Sequence, residues 1–208
     1  MTNNKLCADK KIIKQFINEI TKDWYQFSDR AGKFEIRCLG ENRTPITQIF
    51  TLEAVAEAVD FAIQMNTTKL NVYMTINPIN PEAVIKVGKG AKKKDILRAH
   101  YSFADADDEA GLAGIIKLSQ LCEPNIVVIT GTVPHERRHA YWRFAEPCHD
   151  LKLWEATQKR IAINFKTDKR VIDPSRIMRV PGTVSYPSVG KQNKKYVPEL
   201  VTMMVGNS

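Results

Sequence analysis

Long apolar runs are missing from this sequence. The longest unbroken one, Ile126 to Ile129, is four residues, against the roughly 20 needed to cross a bilayer, so no membrane association is expected. The N-terminus, Met1 to Lys5, leads into a charged amphipathic stretch without an apolar h-region. That excludes a secretory signal and predicts a cytoplasmic compartment. Cysteine is scarce: Cys7, Cys38, Cys122 and Cys148 contain no Cys-x-x-Cys pair, which excludes a zinc ribbon or a thioredoxin-like motif and leaves four thiols in a reducing compartment. There is no Gly/Ser-rich or Pro-rich linker and no repeat with a period of 20 to 50 residues, so tethered modules and solenoids are excluded.

What is present is a chain that folds. Its 208 residues are 43% hydrophobic and 26% charged, a composition far from disordered or collagen-like sequence and long enough to bury a core without disulfides. Thirty-one basic residues against 23 acidic ones give +8. Most of the excess lies between Lys166 and Lys195, where Lys166, Lys169, Arg170, Arg176, Arg179, Lys191, Lys194 and Lys195 face only Asp168 and Asp173. A segment of that kind is the footprint of a polyanion binder, with a solvated charge run as the plain alternative.

Periodicity predicts the elements. Ile12, Ile13, Phe16, Ile17 and Ile20 recur at helical spacing over about 8–22, and Phe34, Ile36 and Cys38 alternate with Glu35 and Arg37 as a half-buried strand over 33–39. Thr47 to Phe50 is a partner strand, Thr51 caps a helix to about Met65, and Leu70 to Ile76 is a strand. A long loop follows, with Lys89 and Lys92 to Lys94 in a stretch read as solvated rather than phosphate-facing. Then come a strand (100–106), a helix (108–122), strands at 125–130 and 138–144, and a helix (150–165). The β-α-β-β-α order predicts an α+β fold with a split βαβ, ferredoxin-like core that buries one sheet face and leaves the other for a site. The expected organisation is a single domain, 1–208: an N-terminal αβ portion (about 1–98), an RRM-like portion carrying the motifs (about 99–190) and a basic C-terminal tail (about 191–208).

Three polar signals carry chemistry. In Phe103-Ala104-Asp105-Ala106-Asp107-Asp108, strand alternation puts Asp105 and Asp107 on one face with Cα atoms about 6.6 Å apart, within reach of one divalent cation. Two hard oxygens suit Mg²⁺ or Mn²⁺, which complete their shell with water and phosphate. Asp108 and Glu109 read as the acidic start of the next helix, but Asp105 lies inside the strand, where an uncompensated carboxylate costs several kcal/mol. An EF-hand starting at Asp105 is rejected, since Ile116 would take the place of its bidentate Glu. In the second signal, 130–144, His139, Tyr141 and Arg143 oppose Ala140, Trp142 and Phe144. The latter set is expected in the core, and His139 lies on a strand that would neighbour Asp105. The third signal runs from Val171 to Thr183. Asp173 is a third candidate metal ligand, and Arg176 and Arg179 can clamp phosphate oxygens.

In this order, Asp-x-Asp at a strand end, a turn with His before Tyr141-Trp142, and Asp-x-x-Arg-x-x-Arg-x-Pro-Gly-Thr resemble the three motifs of the archaeo-eukaryotic primase superfamily, in particular its RepB-like plasmid and phage primase and primase-polymerase catalytic domains. Phe34 to Arg37, Asn71 to Tyr73 and Lys94 to Arg98 extend the likeness over most of the chain. The resemblance implies a primase catalytic core in a bacterial or phage-infected host cell: a nucleotidyltransferase that makes and extends primers on a single-stranded DNA template from nucleoside triphosphates by a two-metal mechanism. Asp105, Asp107 and Asp173 would hold Mg²⁺ or Mn²⁺, and His139 would contact the triphosphate beside Arg176 and Arg179. The family's Ser-Gly-Gly-Gly turn is replaced here by Thr130 to Pro134, which leaves His135 and His139 as alternatives. His139 is preferred because it directly precedes Ala140-Tyr141-Trp142. Relatives often carry a helicase or helical accessory domain, so a replicative helicase is an implied partner. No Gly-x-x-x-x-Gly-Lys-[Ser/Thr] occurs in this chain, which reads as a stand-alone enzyme or an excised catalytic domain. Arg37 is a weaker candidate for template contact and stays outside the site. Two other classes remain: a non-catalytic replication-initiation module binding single-stranded or origin DNA, and a rolling-circle nickase, for which His135 and His139 have the wrong spacing.

Overall fold

The computed structural model describes residues 6–25 and 32–206. The chain forms helix α1 (Lys10–Thr21), strands β1 (Phe34–Leu39) and β2 (Ile46–Phe50), helix α2 (Val55–Thr67) and strand β3 (Asn71–Thr75). It continues with β4 (Ala99–Ala106), α3 (Glu109–Leu121), β5 (Ile126–Gly131), β6 (Arg137–Cys148) and α4 (Leu151–Asn164). Short elements follow: β7 (Ile177–Arg179), β8 (Val184–Ser185), α5 (Val189–Gln192), β9 (Glu199–Leu200) and β10 (Thr202–Val205). Asp9 starts α1 by accepting the Lys11 and Ile12 backbone N–H groups, satisfying donors that the helix leaves open. Thr51 makes no side-chain cap, contrary to expectation; a 3₁₀ turn over Leu52–Ala54 leads into α2 instead.

Two four-stranded antiparallel sheets result, ordered β2-β1-β3-β7 and β10-β5-β6-β4, together with a two-stranded ribbon of β8 and β9. In the second, β6 lies between β4 and β5 and pairs antiparallel with both, so the strands flanking α3 are parallel but not adjacent. This is the split βαβ that the element order predicts. The principal core joins the sheets. Phe34, Ile36, Val72, Met74 and Met178 from the first meet Tyr101, Phe103, Tyr141, Ile126 and Val128 from the second. Helix α1 spans them, with Phe16 edge-on to the Tyr141 ring at 6.0 Å.

Neither face of the second sheet is left open. Ala104, Ala106, Ala140 and Trp142 pack under Ile115 of α3, while Tyr101, Phe103 and Tyr141 on the other face join the main core. Phe144 departs from the alternation and packs with the main core rather than with Trp142. Tyr141, expected opposite the core, is fully buried in it. The site is therefore not a bare sheet face but the gap between the sheets, beyond the last apolar layer.

The C-terminal stretch also differs from the expected tail. β7 joins the first sheet beside β3, and β10 joins the second beside β5, so the basic segment is tied to both sheets. The Pro181-Gly182 turn anchors the start of α1. Gly182, at φ +80°, accepts the Asp9 N–H through its carbonyl at 2.7 Å, and a Cβ there would fall 2.8 Å from Asp9 backbone. Only glycine fits so close an approach in that left-handed conformation.

Candidate active site

Strand β4 is an edge, and the way its free carbonyls are satisfied decides where the acids sit. Trp154 Nε1 donates to Tyr101 O at 2.9 Å, Gln158 Nε2 to Phe103 O at 2.7 Å, and the Asp168 backbone N–H to Asp105 O at 2.8 Å. The first two bonds come from α4 and the third from the chain just beyond it, so the ladder brings Asp168 beside Asp105. A cleft of about 310 Å³ opens there, lined by Asp105, Asp107, Asp168 and His139 on one side and Arg176 and Arg179 on the other.

Asp105 and His139 are directly opposed across β4 and β6. The Asp105 Oδ1 and His139 Nε2 atoms are 3.5 Å apart, too far for a good hydrogen bond, and Asp105 Oδ1 is sealed from solvent with no partner. Burial first, then the charges of Asp107 and Asp168, push the Asp105 carboxyl up to about 7 against the pull of Arg176 and Arg179. Burial, reinforced by Arg179, pushes His139 down to about 3. At neutral pH His139 is therefore neutral and the contact is not an ion pair. Burial also raises Asp168, but hydrogen bonds from the Arg170 backbone and side chain outweigh it and leave that carboxyl below its ordinary value.

Arg179, on β7, is held from two sides: Nη1 donates to Asn71 Oδ1 at 2.7 Å and Nη2 to the Tyr73 hydroxyl at 2.8 Å. Arg176 lies in the cleft with its Nε buried and unpartnered. The residues after β8 form a further wall. Arg137 lies 4.6 Å over the Tyr196 ring and pairs with Glu199 at 3.0 Å, and Lys191 Nζ is 3.8 Å from Asp107 Oδ2.

Of the six expected site residues, Asp105, Asp107, His139, Arg176 and Arg179 line this cleft, and Asp173 does not. Asp173 Oδ1 accepts the Ser175 backbone N–H at 2.7 Å and its hydroxyl at 2.6 Å, closing the turn that presents Arg176. Asp168 stands where Asp173 was expected. Its sequence context, one acid after a helix in a basic run, gives no local signal, because the placement depends on the β4 edge. Asn71 and Tyr73 had a signal: they alternate with buried Val72 and Met74. His135 is half-buried and donates to the Asp107 carbonyl at 2.8 Å, away from His139, so the two histidines do not form the pair that a nickase needs.

Among the described residues, no three His, Cys, Asp or Glu side chains converge into a closed metal cluster. The donors nevertheless fit a hard divalent cation: carboxylate oxygens only, one of them buried without a partner, beside cationic groups suited to phosphate.

Two antiparallel sheets around a split βαβ, with an acid and a histidine facing each other at the cleft between them, make an α+β fold that this chain shares with solved structures. In particular, the structure is similar to the AEP domain of the Cyanophage S-2L primase-polymerase (PrimPol), with a TM-score of 0.64 and 18% identity over 96% of this chain and 91% of that one. It is also similar to primase RepB′ (TM-score 0.58, 17% identity, 92% of this chain and 56% of that one). The catalytic domain of RepB′ in complex with initiator DNA matches with a TM-score of 0.54 and 16% identity over 91% and 84% of the two chains. These likenesses establish the α+β, RepB-like primase fold. No family model and no curated protein matches the sequence.

Proposed function

We propose that the protein is a DNA-templated nucleotidyltransferase that makes and extends primers on single-stranded DNA. The observation that carries this reading is the unpartnered Asp105 Oδ1, a costly feature that a ligand in the cleft would relieve. Asp105 and Asp107 would hold Mg²⁺ or Mn²⁺, with Asp168 rather than Asp173 as the third carboxylate. A cation bound there supplies neutralisation of phosphate charge for an in-line displacement.

The other groups have distinct roles. Arg179, preset by Asn71 and Tyr73, offers its guanidinium to phosphate oxygens without first having to be ordered. Arg176 brings a buried N–H that still lacks an acceptor. His139 Nδ1 lies 3.1 Å from the Tyr141 hydroxyl; in the tautomer in which that hydroxyl donates, neutral His139 would carry its proton on Nε2 and offer a hydrogen bond without adding charge. The basic Lys191–Lys195 wall accommodates the polyanionic strand.

Template-directed incorporation of labelled nucleotide in Mg²⁺ or Mn²⁺ tests the reading. Asp105→Ala and Asp168→Ala are expected to lower it by about 10³-fold or more, as loss of a metal ligand does at a catalytic centre, and Asp173→Ala to leave it within about tenfold. Unchanged incorporation in Asp105→Ala would falsify the enzymatic reading and favour a non-catalytic DNA-binding module.

A further inference from the structure

The outer face of the first sheet continues the cleft. Thr47, Arg37, Tyr73 and Arg179 are in register across β2, β1, β3 and β7, and residues directly opposed in antiparallel strands share a face. Tyr73 and Arg179 line the cleft. Arg37 is the next cation in that row, two strand spacings or about 10 Å from Arg179.

On Arg37 sits the lysine loop. A Cβ at Gly90 would fall 1.6 Å from Arg37 Nη2, so the backbone lies directly on the guanidinium. Glu35, fully buried, accepts the Ala91 N–H through Oε2 at 2.6 Å and Arg37 Nε through Oε1. Ile79, Ala91 and Ile96 form a small core beneath the segment. The loop read as merely solvated from its sequence is thus seated by a buried carboxylate, a device whose desolvation must be offset and which serves to fix geometry rather than to add stability.

What this seat presents is a basic surface with apolar tips. Lys86, Lys89, Lys92 and Lys94 are exposed, and Lys93 is paired with Glu155. Val84 and Val87 are 94% and 103% exposed. Lysines meet phosphates of any nucleic acid, whereas exposed valines gain from burying apolar surface, and on a nucleic acid that surface is the base faces, which a duplex keeps stacked and a single strand offers.

We infer that the row from Arg179 through Tyr73 and Arg37 to the 84–94 loop is the track on which single-stranded template DNA runs out of the cleft. This rests on the primase reading and assigns the strand's path. Fluorescence anisotropy with a labelled oligothymidylate, without nucleotide, tests it on the full chain. In Lys86→Glu/Lys89→Glu/Lys94→Glu, affinity is expected to fall by about tenfold or more, and the salt slope to become shallower by about 0.7 for each phosphate no longer neutralised. The melting temperature should be unchanged. Gly90→Ala, which lifts the loop from Arg37 without altering a charge, should weaken binding less, with its fold checked by the same melt. Wild-type affinity in both variants overturns the track alone and leaves the primase reading standing. Equal losses on a blunt duplex and on the single strand also overturn it, because they make the loop a general polyanion contact. A wild-type protein that binds no single-stranded DNA sinks both readings.

Discussion

Each sheet carries a strand carboxylate withdrawn from water, and the two are treated in opposite ways. Glu35 on β1 has both oxygens engaged, one by Arg37 and one by the Ala91 backbone. Asp105 on β4 keeps a side chain 14% exposed and an Oδ1 with no partner. The first carboxylate fastens a loop and behaves as structure. The second is left unsatisfied among like charges, with guanidinium groups across the cleft, as groups kept for function rather than for folding tend to be. Burial alone does not distinguish the two acids; the presence or absence of a partner does.

The largest expected effect breaks this comparison from the structural side. Glu35→Ala should cost about 3–5 kcal/mol of unfolding free energy, the usual cost of removing one member of a buried ion pair, read from urea midpoints. Asp105→Asn should do the reverse in metal-free protein and stabilise it. If Glu35→Ala is neutral or Asp105→Asn is as damaging, the two carboxylates are not the opposites described.

The pH dependence sharpens the same contrast, because Asp105 and His139 oppose each other. Asp105, raised to about 7 in the fold, keeps its proton between about pH 4 and 7 while the unfolded chain has lost it, so its contribution to stability falls as pH rises. His139, lowered to about 3, is neutral in the fold while the unfolded chain is protonated below about 6.5, so its contribution rises with pH. Each slope is about 1.4 kcal/mol per pH unit, and in wild type they offset. Relative to wild type, Asp105→Asn should gain stability from pH 4 to 7, by up to about 4 kcal/mol. His139→Asn should instead gain as pH falls from about 6.5 towards 4. Parallel stability curves for wild type and both variants would show that the pair does not hold one proton between them.

The smallest effect concerns Arg179. Asn71 Oδ1 still receives the Tyr186 N–H at 2.8 Å without it, and Tyr73 remains packed, so Arg179→Ala should cost only about 1 kcal/mol in the melt. Nucleotide affinity, measured by displacement of a fluorescent analogue, should fall by about tenfold, the loss of a charge-assisted hydrogen bond. A large loss of stability with unchanged nucleotide affinity would make Arg179 a strut of the first sheet.

Much of this architecture was legible in the residues. Alternation along 33–39 and 100–106 and the helical spacing of Ile13, Phe16, Ile17 and Ile20 depend on periods of two and 3.6, which a chain displays locally. The same alternation placed Asp105 and Asp107 on one face. β7, β8, β9 and β10 were not legible, because strands of two to four residues show no period and form only where a neighbouring edge needs hydrogen bonds. The expected basic tail became a wall of the cleft for that reason.

The sequence by itself determined the elements, the split βαβ order, and the presence of acids, a histidine and arginines in one succession. Only the tertiary structure decided which further acid lines the cleft. Asp173 and Asp168 are equally acidic in sequence, but Ser175 engages the first within its own turn, and the free carbonyl of Asp105 draws in the second through its backbone N–H. A hydrogen bond between segments far apart in the chain leaves no local pattern, since it is fixed by where the β4 edge runs out of partners rather than by the residues on either side of Asp168.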